Sequence, residues 1–253
     1  MLKFLELAKP AKGRLWEIDT IRGVAIVLMV ISNFVYDLYN FGSWQIDIFN
    51  GFWWVFPRVI VATFVLLVGL SLNLSYVRVR HKNESLLFKK YLMRGIKIFL
   101  WGVAITAVTW MFLPQGVILF GVLHFIGVGI ILAYPFLRYP HARWLPWLAI
   151  LLIIFGIWLH SKVYDWPWLF WLGLIPKGFS TFDYIPILPW FGVLLLGLWV
   201  GGRFYPEGKR TFALADFSNL PSVKFLCLLG RNSLLIYLIH QPILVGSIYL
   251  FWL

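Results

Sequence analysis

The chain has 253 residues, of which 61% are hydrophobic and 13% charged, and its mean hydropathy is +0.85. Soluble domains carry about 25% charged residues, so this composition excludes an ordinary soluble domain and predicts an all-α membrane protein. The net charge of +12 would suggest nucleic acid in a soluble protein. Here the basic residues lie in particular loops, so we expect no nucleic-acid partner. The single Cys227 excludes an internal disulfide and a cysteine-based metal cluster.

Seven stretches are predicted to be membrane-spanning helices, which need about 20 apolar residues each. They cover residues 19–39, 51–76, 88–112, 116–137, 145–160, 186–202 and 231–252. The region 161–185 is rich in Trp, Pro and Gly and is interpreted as a folded external loop or a re-entrant segment. A short eighth span near 166–175 is the alternative. The polar stretches near 77–90 and 202–224 are predicted to be short loops.

Basic loops alternate with neutral ones along the chain. Lys and Arg precede the first span and follow the second, fourth and sixth, whereas the loops after the first and third spans contain none. The positive-inside rule therefore predicts a cytoplasmic N-terminus and a C-terminus outside. The N-terminal residues lack the pattern of a cleaved signal peptide, so the first span is expected to be the targeting signal. We predict one transmembrane domain over residues 1–253, crossing the cell membrane several times.

Polar and charged side chains interrupt the first two predicted spans. The first holds Asp19, Arg22, Asn33 and Asp37, and the second holds Arg58. At 100° per residue, Arg22 and Asn33 point in almost the same direction, and Asp37 follows Asn33 by one turn. Charge within a bilayer is costly and usually faces a protein interior or a water-filled cavity. The first helix is therefore predicted to carry a polar stripe.

The predicted depths of these side chains indicate a site. At a rise of about 1.5 Å per residue, Asn33 and Asp37 fall in the outer third of the first span, and Arg58 lies about 10 Å below the outer end of the second. His124 reaches a similar depth, and His240 lies about 14 Å deep in the last span. Polar groups from four helices therefore converge on the outer half of the membrane.

Structural roles are alternatives for most of these residues. Asp37 could meet water at the interface, and Arg58 could pair with Asp37 without doing chemistry. His124 and His240 could be satisfied buried histidines. Asp19 and Arg22 could form a helix cap with a local ion pair. No metal is expected, because the sequence has no histidine or cysteine spacing typical of a metal site.

Four segments carry a resemblance to a known family. They are Arg14–Asp37 (RLWEIDTIRGVAIVLMVISNFVYD), Gly121–Gly127 (GVLHFIG), Asp183–Gly197 (DYIPILPWFGVLLLG) and Gly230–Leu244 (GRNSLLIYLIHQPIL). Their order and spacing resemble prokaryotic integral-membrane relatives of heparan-alpha-glucosaminide N-acetyltransferase. The resemblance implies an integral-membrane acyltransferase. The lysosomal member of the family takes acetyl from cytosolic acetyl-CoA and delivers it to a terminal glucosamine on the far side of the membrane.

The resemblance also implies roles for single residues. Asn33 occupies the position of a substrate-site asparagine in the lysosomal enzyme. His240 matches the histidine of the terminal N-S-x-x-x-Y-x-x-H pattern, and His124 lies in the G-V-L-H pattern. The active histidine proposed for the lysosomal enzyme lies in the loop after its first span. The corresponding loop here, Tyr39–Gly51, has no histidine, so the base is unassigned and a covalent acetyl-histidine step is in doubt.

The resulting hypothesis is direct acyl transfer from an acyl-CoA co-substrate to a saccharide amine or hydroxyl near the outer face. His124 is the first candidate for the base, and Asp37 either orients it or is the base itself. Arg58 or Asn33 would stabilise the oxyanion, and His240 is a further catalytic candidate. The residues predicted to bind CoA are Arg22, Arg94, Lys97, Arg231 and Asn232. A homodimer is possible. The alternative function is a membrane transporter or channel for a small solute or proton.

Overall fold

Helices make up most of the part of the chain that the computed structural model describes, which is residues 14–41, 47–81, 83–112 and 116–251. The α-helices, in chain order, are α1 (Trp16–Phe41), α2 (Gly51–Val77), α3 (Glu84–Phe112), α4 (Val122–Ala133), α5 (Leu145–His160), α6 (Ile187–Phe204), α7 (Pro221–Arg231) and α8 (Ser233–Phe251). Short 3₁₀ helices lie at Tyr134–Arg138, Pro167–Leu172 and Pro206–Gly208.

The connection between α5 and α6 is a folded segment. Its strands β1 (Val163–Tyr164) and β2 (Ile175–Pro176) pair in parallel around the 3₁₀ helix Pro167–Leu172. That 3₁₀ helix has six residues, far fewer than the ~20 that a membrane span needs. The alternative of an eighth span near 166–175 is therefore wrong. The segment is folded, and the choice between an external loop and a re-entrant segment stays a prediction.

Four helices, namely α1, α2, α3 and α6, are long and apolar enough to cross a membrane. Helices α7 and α8 pass the same test only as a pair, which is bent by 81°, so the number of candidate spans is four or up to five. Two further helices, Val122–Arg138 and Leu145–His160, are apolar but shorter. The helical membrane class agrees with the sequence analysis, whereas the count of seven spans stays a prediction. Both chain termini lie outside the described residues.

Helix α7 corrects the end of the predicted loop at 202–224, whereas α8 coincides with the predicted span over 231–252. The chain turns helical at Pro221, bends after Arg231 and starts α8 at Ser233. Proline suits the first turn of a helix because its missing N–H would have no partner there. The sequence pattern does not predict α7, because this helix is short and Lys224 interrupts its apolar run. Its buried residues, Cys227 and Gly230, lie three positions apart on one face.

The contacts divide the chain into two compact units, Met1–Phe64 with Ala213–Leu253 (unit 1) and Val65–Phe212 (unit 2). The core of unit 1 joins Ile26 and Met29 of α1 to Ile60 of α2. Two glycines let α1 and α7 approach closely. A Cβ on Gly23 would lie 2.0 Å from the Leu226 carbonyl oxygen, and one on Gly230 would lie 2.0 Å from that of Asp19.

Unit 2 packs α3 against α4 and α5 against α6. The second half of α2 meets α6 backbone to backbone. A Cβ on Gly69 would lie 2.0 Å from the Leu194 carbonyl oxygen, and one on Gly197 would lie 2.0 Å from that of Leu66. Small residues at such crossings are typical of helices that pack within membranes.

Candidate functional site

Two hydrogen-bonded pairs join α1 to α8 within unit 1. The side-chain amide nitrogen of Asn33 lies 2.7 Å from Nε2 of His240. One turn further along α1, Oδ1 of Asp37 accepts a hydrogen bond of 2.8 Å from the amide of Gln241. Asp37 is 1% exposed and His240 8% exposed. Three residues selected from the sequence therefore lie together, with Gln241 as a fourth member.

The contacts of His240 define which nitrogen carries its proton. Its Nδ1 lies 2.7 Å from the Tyr237 carbonyl oxygen, which can only accept a hydrogen bond. Nδ1 is therefore the protonated nitrogen, and Nε2 of the neutral ring accepts from the Asn33 amide. An amide nitrogen carries two hydrogens. The Asn33 amide thus keeps a second N–H for another acceptor.

The second oxygen of Asp37 has a different environment from the first. Oδ2 is buried and has no hydrogen-bond partner among the described residues. A buried polar atom without a partner carries a free-energy cost of about 1–3 kcal/mol, and more when it is charged. A carboxylate held through one oxygen and open at the other is well suited to accept a proton from a bound molecule.

Arg58 lies on the exposed surface of α2 in unit 1. Its guanidinium donates to the Trp54 carbonyl oxygen one turn earlier, and its Cζ lies 3.8 Å from the centre of the Trp54 ring. Within the described residues, the hydrogen-bond partner of Asp37 is Gln241 rather than Arg58. The structure therefore does not place Arg58 with Asn33 and Asp37, and its role at an oxyanion stays a prediction.

His124 lies in unit 2 at the start of α4. Its Nδ1 accepts from the Gly121 backbone N–H at 3.3 Å. Its Nε2 lies 3.4 Å from the Thr106 hydroxyl, which itself donates to the Ile118 carbonyl oxygen at 2.5 Å. Nε2–H is therefore the donor to Thr106. Both ring nitrogens are engaged within unit 2, so this histidine is held in one tautomer.

His124 and Thr106 form the polar wall of a cavity in unit 2. The cavity has a volume of about 470 Å³, and its other lining residues are apolar: Phe99, Val103, Leu119, Phe120, Val128, Phe170 and Trp171. Asp183 lies nearby and accepts from the Val122 backbone N–H at 3.0 Å, which satisfies a free donor at the start of α4. Because His124 and Asp37 belong to different units, their meeting in one pocket stays a prediction.

A basic cluster surrounds the buried carboxylate of Asp19 in unit 1. Nη1 of Arg22 lies 3.1 Å away, Nε of Arg231 3.3 Å and Nη1 of Arg14 3.8 Å. Two residues selected for CoA binding, Arg22 and Arg231, therefore lie together, with Arg14 added. Three guanidinium groups gathered in one place favour an anionic ligand, because arginine forms strong charge-assisted hydrogen bonds with carboxylate and phosphate.

Of the other predicted CoA-binding residues, Asn232 directly follows Arg231 of the basic cluster, and Arg94 and Lys97 lie in unit 2. Asn232 donates from its side-chain amide to the Leu228 carbonyl oxygen at 2.9 Å and occupies the bend that follows α7. Arg94 and Lys97 are exposed on α3 in unit 2. Within the described residues, no group of three or more His, Cys, Asp or Glu side chains is arranged to hold a metal ion.

Three residues of these clusters were not selected from the sequence. Gln241 follows His240 directly, and two adjacent polar residues in an apolar span could have indicated that Gln241 belongs to the site. Arg14 lies just before α1, where its positive charge is expected from the positive-inside rule alone. Thr106 lies 18 residues before His124, and no periodic pattern links the two.

Apolar helices joined by buried polar pairs are typical of a helical membrane protein. The model of the family described as heparan-alpha-glucosaminide N-acetyltransferase, catalytic, matches residues 14–242. The chain belongs to this family, so the resemblance seen in the sequence is confirmed. No curated protein and no solved structure gives a significant match. The matched range includes both polar pairs, the basic cluster and His124.

Proposed function

We propose that this protein is a membrane-embedded acyltransferase that moves an acyl group, with acetyl as the first candidate, from cytosolic acyl-CoA to a sugar amine or hydroxyl near the outer face. Membership of an acetyltransferase family supports the reaction class. The observation that carries the proposal is the buried Oδ2 of Asp37, which lacks a partner among the described residues beside the Asn33–His240 pair.

The proposed reaction is a direct displacement at the thioester. The acceptor nitrogen or oxygen bonds to the carbonyl carbon, its proton passes to Oδ2 of Asp37, and the C–S bond breaks. The thiolate of CoA leaves and takes up the proton. A positioned general base of this kind contributes about 10²–10⁴-fold to the rate. Gln241 holds the other carboxylate oxygen and orients it for this step.

The Asn33–His240 pair supplies the proposed oxyanion donor. His240 fixes one N–H of the Asn33 amide and leaves the second N–H for the developing negative charge on the thioester oxygen. A preorganised donor of this type is typically worth about 10²–10³-fold in kcat. His124 remains the alternative base. Its hydrogen bonds to Gly121 and Thr106 favour a supporting role, because neither ring nitrogen is left unengaged.

The basic cluster around Asp19 is the proposed site for the CoA phosphates. Arg22 and Arg231 are the main contributors, and Arg14 is close enough to join them. Arginine suits phosphate because its planar group can donate two parallel hydrogen bonds. Arg94, Lys97 and Asn232 are kept as secondary candidates. The cluster lies at the start of α1 and the polar pairs lie near its end, a separation suited to transfer across a membrane.

The proposed topology keeps seven spans, a cytoplasmic N-terminus and a multi-pass location in the cell membrane. The four long helices, the bent pair α7–α8 and the two shorter apolar helices together make seven apolar segments. This number agrees with the alternation of basic and neutral loops in the sequence.

The test uses purified full-length protein, acetyl-CoA labelled in its acetyl group and glucosamine as the probe acceptor. We expect label on glucosamine with the wild-type chain and a loss of at least about 100-fold in Asp37→Asn. Asp47→Asn is the matched control, because Asp47 is an exposed residue in the turn before α2. Size-exclusion profiles establish that both variants remain folded.

Three outcomes discriminate the alternatives. Full activity of Asp37→Asn together with inactive His124→Ala would transfer the role of base to His124. Uptake of solute into vesicles with no acyl transfer to any sugar would instead support the transporter function. Label transfer that survives both substitutions would remove the proposed catalytic roles and leave only the reaction class.

A further inference from the structure

A second cavity of unit 2 lies between the start of α5 and the end of α6, and we call it the interfacial cavity. It has a volume of about 470 Å³ and is lined by His141, Arg143, Pro146, Trp147, Ile150, Trp199 and Arg203. None of these residues lines the cavity that contains His124. Three of the lining side chains are basic, and none is acidic. Nothing in the proposed acyl transfer uses this place.

Close packing of α5 against α6 brings these residues together. A Cβ on Gly192 would lie 2.5 Å from the Ala149 carbonyl oxygen, and one on Gly156 would lie 2.5 Å from Cα of Pro189. The earlier residue of α5 thus contacts the later residue of α6, and the later residue of α5 contacts the earlier one, so the two helices are antiparallel. A Cβ on Gly202 would lie 2.6 Å from the Pro140 carbonyl oxygen. This contact places Arg203 beside the segment that carries His141 and Arg143.

The basic side chains of the interfacial cavity have no counter-charge from the described residues. His141, Arg143 and Arg203 are exposed and make no ion pair or side-chain hydrogen bond within this part of the chain. Other arginines of unit 2 do have such partners: Arg138 lies 2.8 Å from Glu84, and Arg80 lies 3.4 Å from Glu207. The N-terminus of α5 adds a partial positive charge at the same end.

The remaining walls of the cavity are apolar, and two of their side chains are exposed while Pro146 and Trp199 are half-buried. Trp147 is 73% exposed and Ile150 40% exposed. The apolar surface continues along α5 through Leu151 and Ile154, which are also exposed. Tryptophan is enriched where a membrane meets water. A free phosphate would contact only the basic rim, whereas a phospholipid would use the rim for its headgroup and the tryptophans for its glycerol and upper chains.

We propose that the interfacial cavity binds the headgroup phosphate of an anionic membrane phospholipid. Arg143 and Arg203 donate to the phosphate oxygens, and His141 lies at the water-facing side. Trp147 and Ile150 contact the apolar part of the lipid. Basic pockets between membrane helices bind anionic headgroups by this combination of charge and apolar contact.

The experiment is a native mass-spectrometry titration of the detergent-purified full chain with phosphatidylglycerol or phosphatidylcholine. We expect phosphatidylglycerol to bind more tightly than phosphatidylcholine, because its headgroup carries a net negative charge. Arg143→Gln and Arg203→Gln should each weaken it about fivefold. Arg143→Lys, which retains the charge, should weaken it less. Arg80→Gln is the control, because it removes the same charge from unit 2 but lies outside the cavity.

Four results would overturn the assignment: equal binding of the two lipids, unchanged binding in both cavity variants, an equal loss in Arg80→Gln, or displacement of phosphatidylglycerol by adenosine 3′,5′-bisphosphate. The last result would identify a site for free phosphates. Circular dichroism of each variant separates a lost site from a lost fold. Acetyl transfer is not the readout, so this proposal and the proposed function fail or succeed separately.

Discussion

Replacement of Asp19 by asparagine tests how unit 1 holds its basic cluster. The carboxylate is 7% exposed and lies within 4 Å of three guanidinium groups. The asparagine side chain would keep the shape and one carbonyl-type oxygen but lose the negative charge. Three guanidinium groups would then surround a neutral amide. Two of them, on Arg22 and Arg231, belong to side chains that are largely buried.

The size of the effect follows from the exposure of each arginine. Arg231 is 12% exposed, and breaking a buried ion pair on one side costs about 3–5 kcal/mol. The Arg14 side chain is 44% exposed and lies 3.8 Å away, so its contribution falls within about 0–1 kcal/mol. The amide oxygen still accepts one hydrogen bond. We therefore expect Asp19→Asn to lower the free energy of unfolding by about 3 kcal/mol.

The assay is unfolding of the purified protein by dodecyl sulfate in mixed micelles, followed by circular dichroism. Arg14→Gln should change the free energy of unfolding by less than about 1 kcal/mol. Asp19→Asn combined with Arg231→Gln should be less destabilising than the sum of the single changes, because the second change removes the uncompensated charge. An Asp19→Asn protein as stable as the wild type, or strictly additive changes, would refute this account.

Three further predictions concern other contacts. Gly23→Ala should destabilise unit 1 by about 3 kcal/mol or more, because its methyl group meets the Leu226 backbone; Gly246→Ala, with nothing within 4 Å, should be neutral in the same unfolding assay. Burial raises the pKa of Tyr184, so its hydroxyl stays protonated and donates to the Phe170 carbonyl oxygen at 2.6 Å. Tyr184→Phe should therefore lower the free energy of unfolding by about 1–2 kcal/mol and with it the thermal midpoint. An unchanged midpoint would show that this hydrogen bond does not stabilise the fold. A double-mutant cycle between Asn33→Ala and His240→Ala should give a coupling free energy of about 0.6–1.7 kcal/mol. A coupling of zero would show that the hydrogen bond between these two residues does not stabilise the protein.

The sequence allowed the class of fold and several of the right residues to be predicted, because both depend on local signals. Apolar runs of about 20 residues identify membrane helices, and α1, α2, α3 and α6 coincide with four of the predicted spans. Asn33 and Asp37 stood out because polar side chains are rare in such runs. Their spacing of one turn then placed them on one face of α1.

Other features depended on contacts that a single sequence does not encode. The Asn33–His240 and Asp37–Gln241 pairs join residues 207 and 204 positions apart. Predicted depth placed His240 near the midplane but could not reveal which residue it faces. The i,i+4 spacing allows Arg58 to contact Trp54 of its own helix, but it does not decide between this contact and a partner on another helix. Helix α7 was missed because a short amphipathic helix beside a bend resembles a polar loop.

The two buried aspartates of unit 1 differ in their hydrogen bonds, and this difference bears on the proposal that Asp37 is the base. Asp19 has arginine partners at both carboxylate oxygens, as a group that only holds helices together should have. Asp37 has Gln241 at one oxygen and, among the described residues, nothing at the other. A purely structural carboxylate would gain stability from a second donor, because an unsatisfied buried oxygen costs free energy. In the proposed mechanism this open oxygen is the place where a substrate proton arrives, so the difference between the two residues agrees with the proposal that Asp37 is the base.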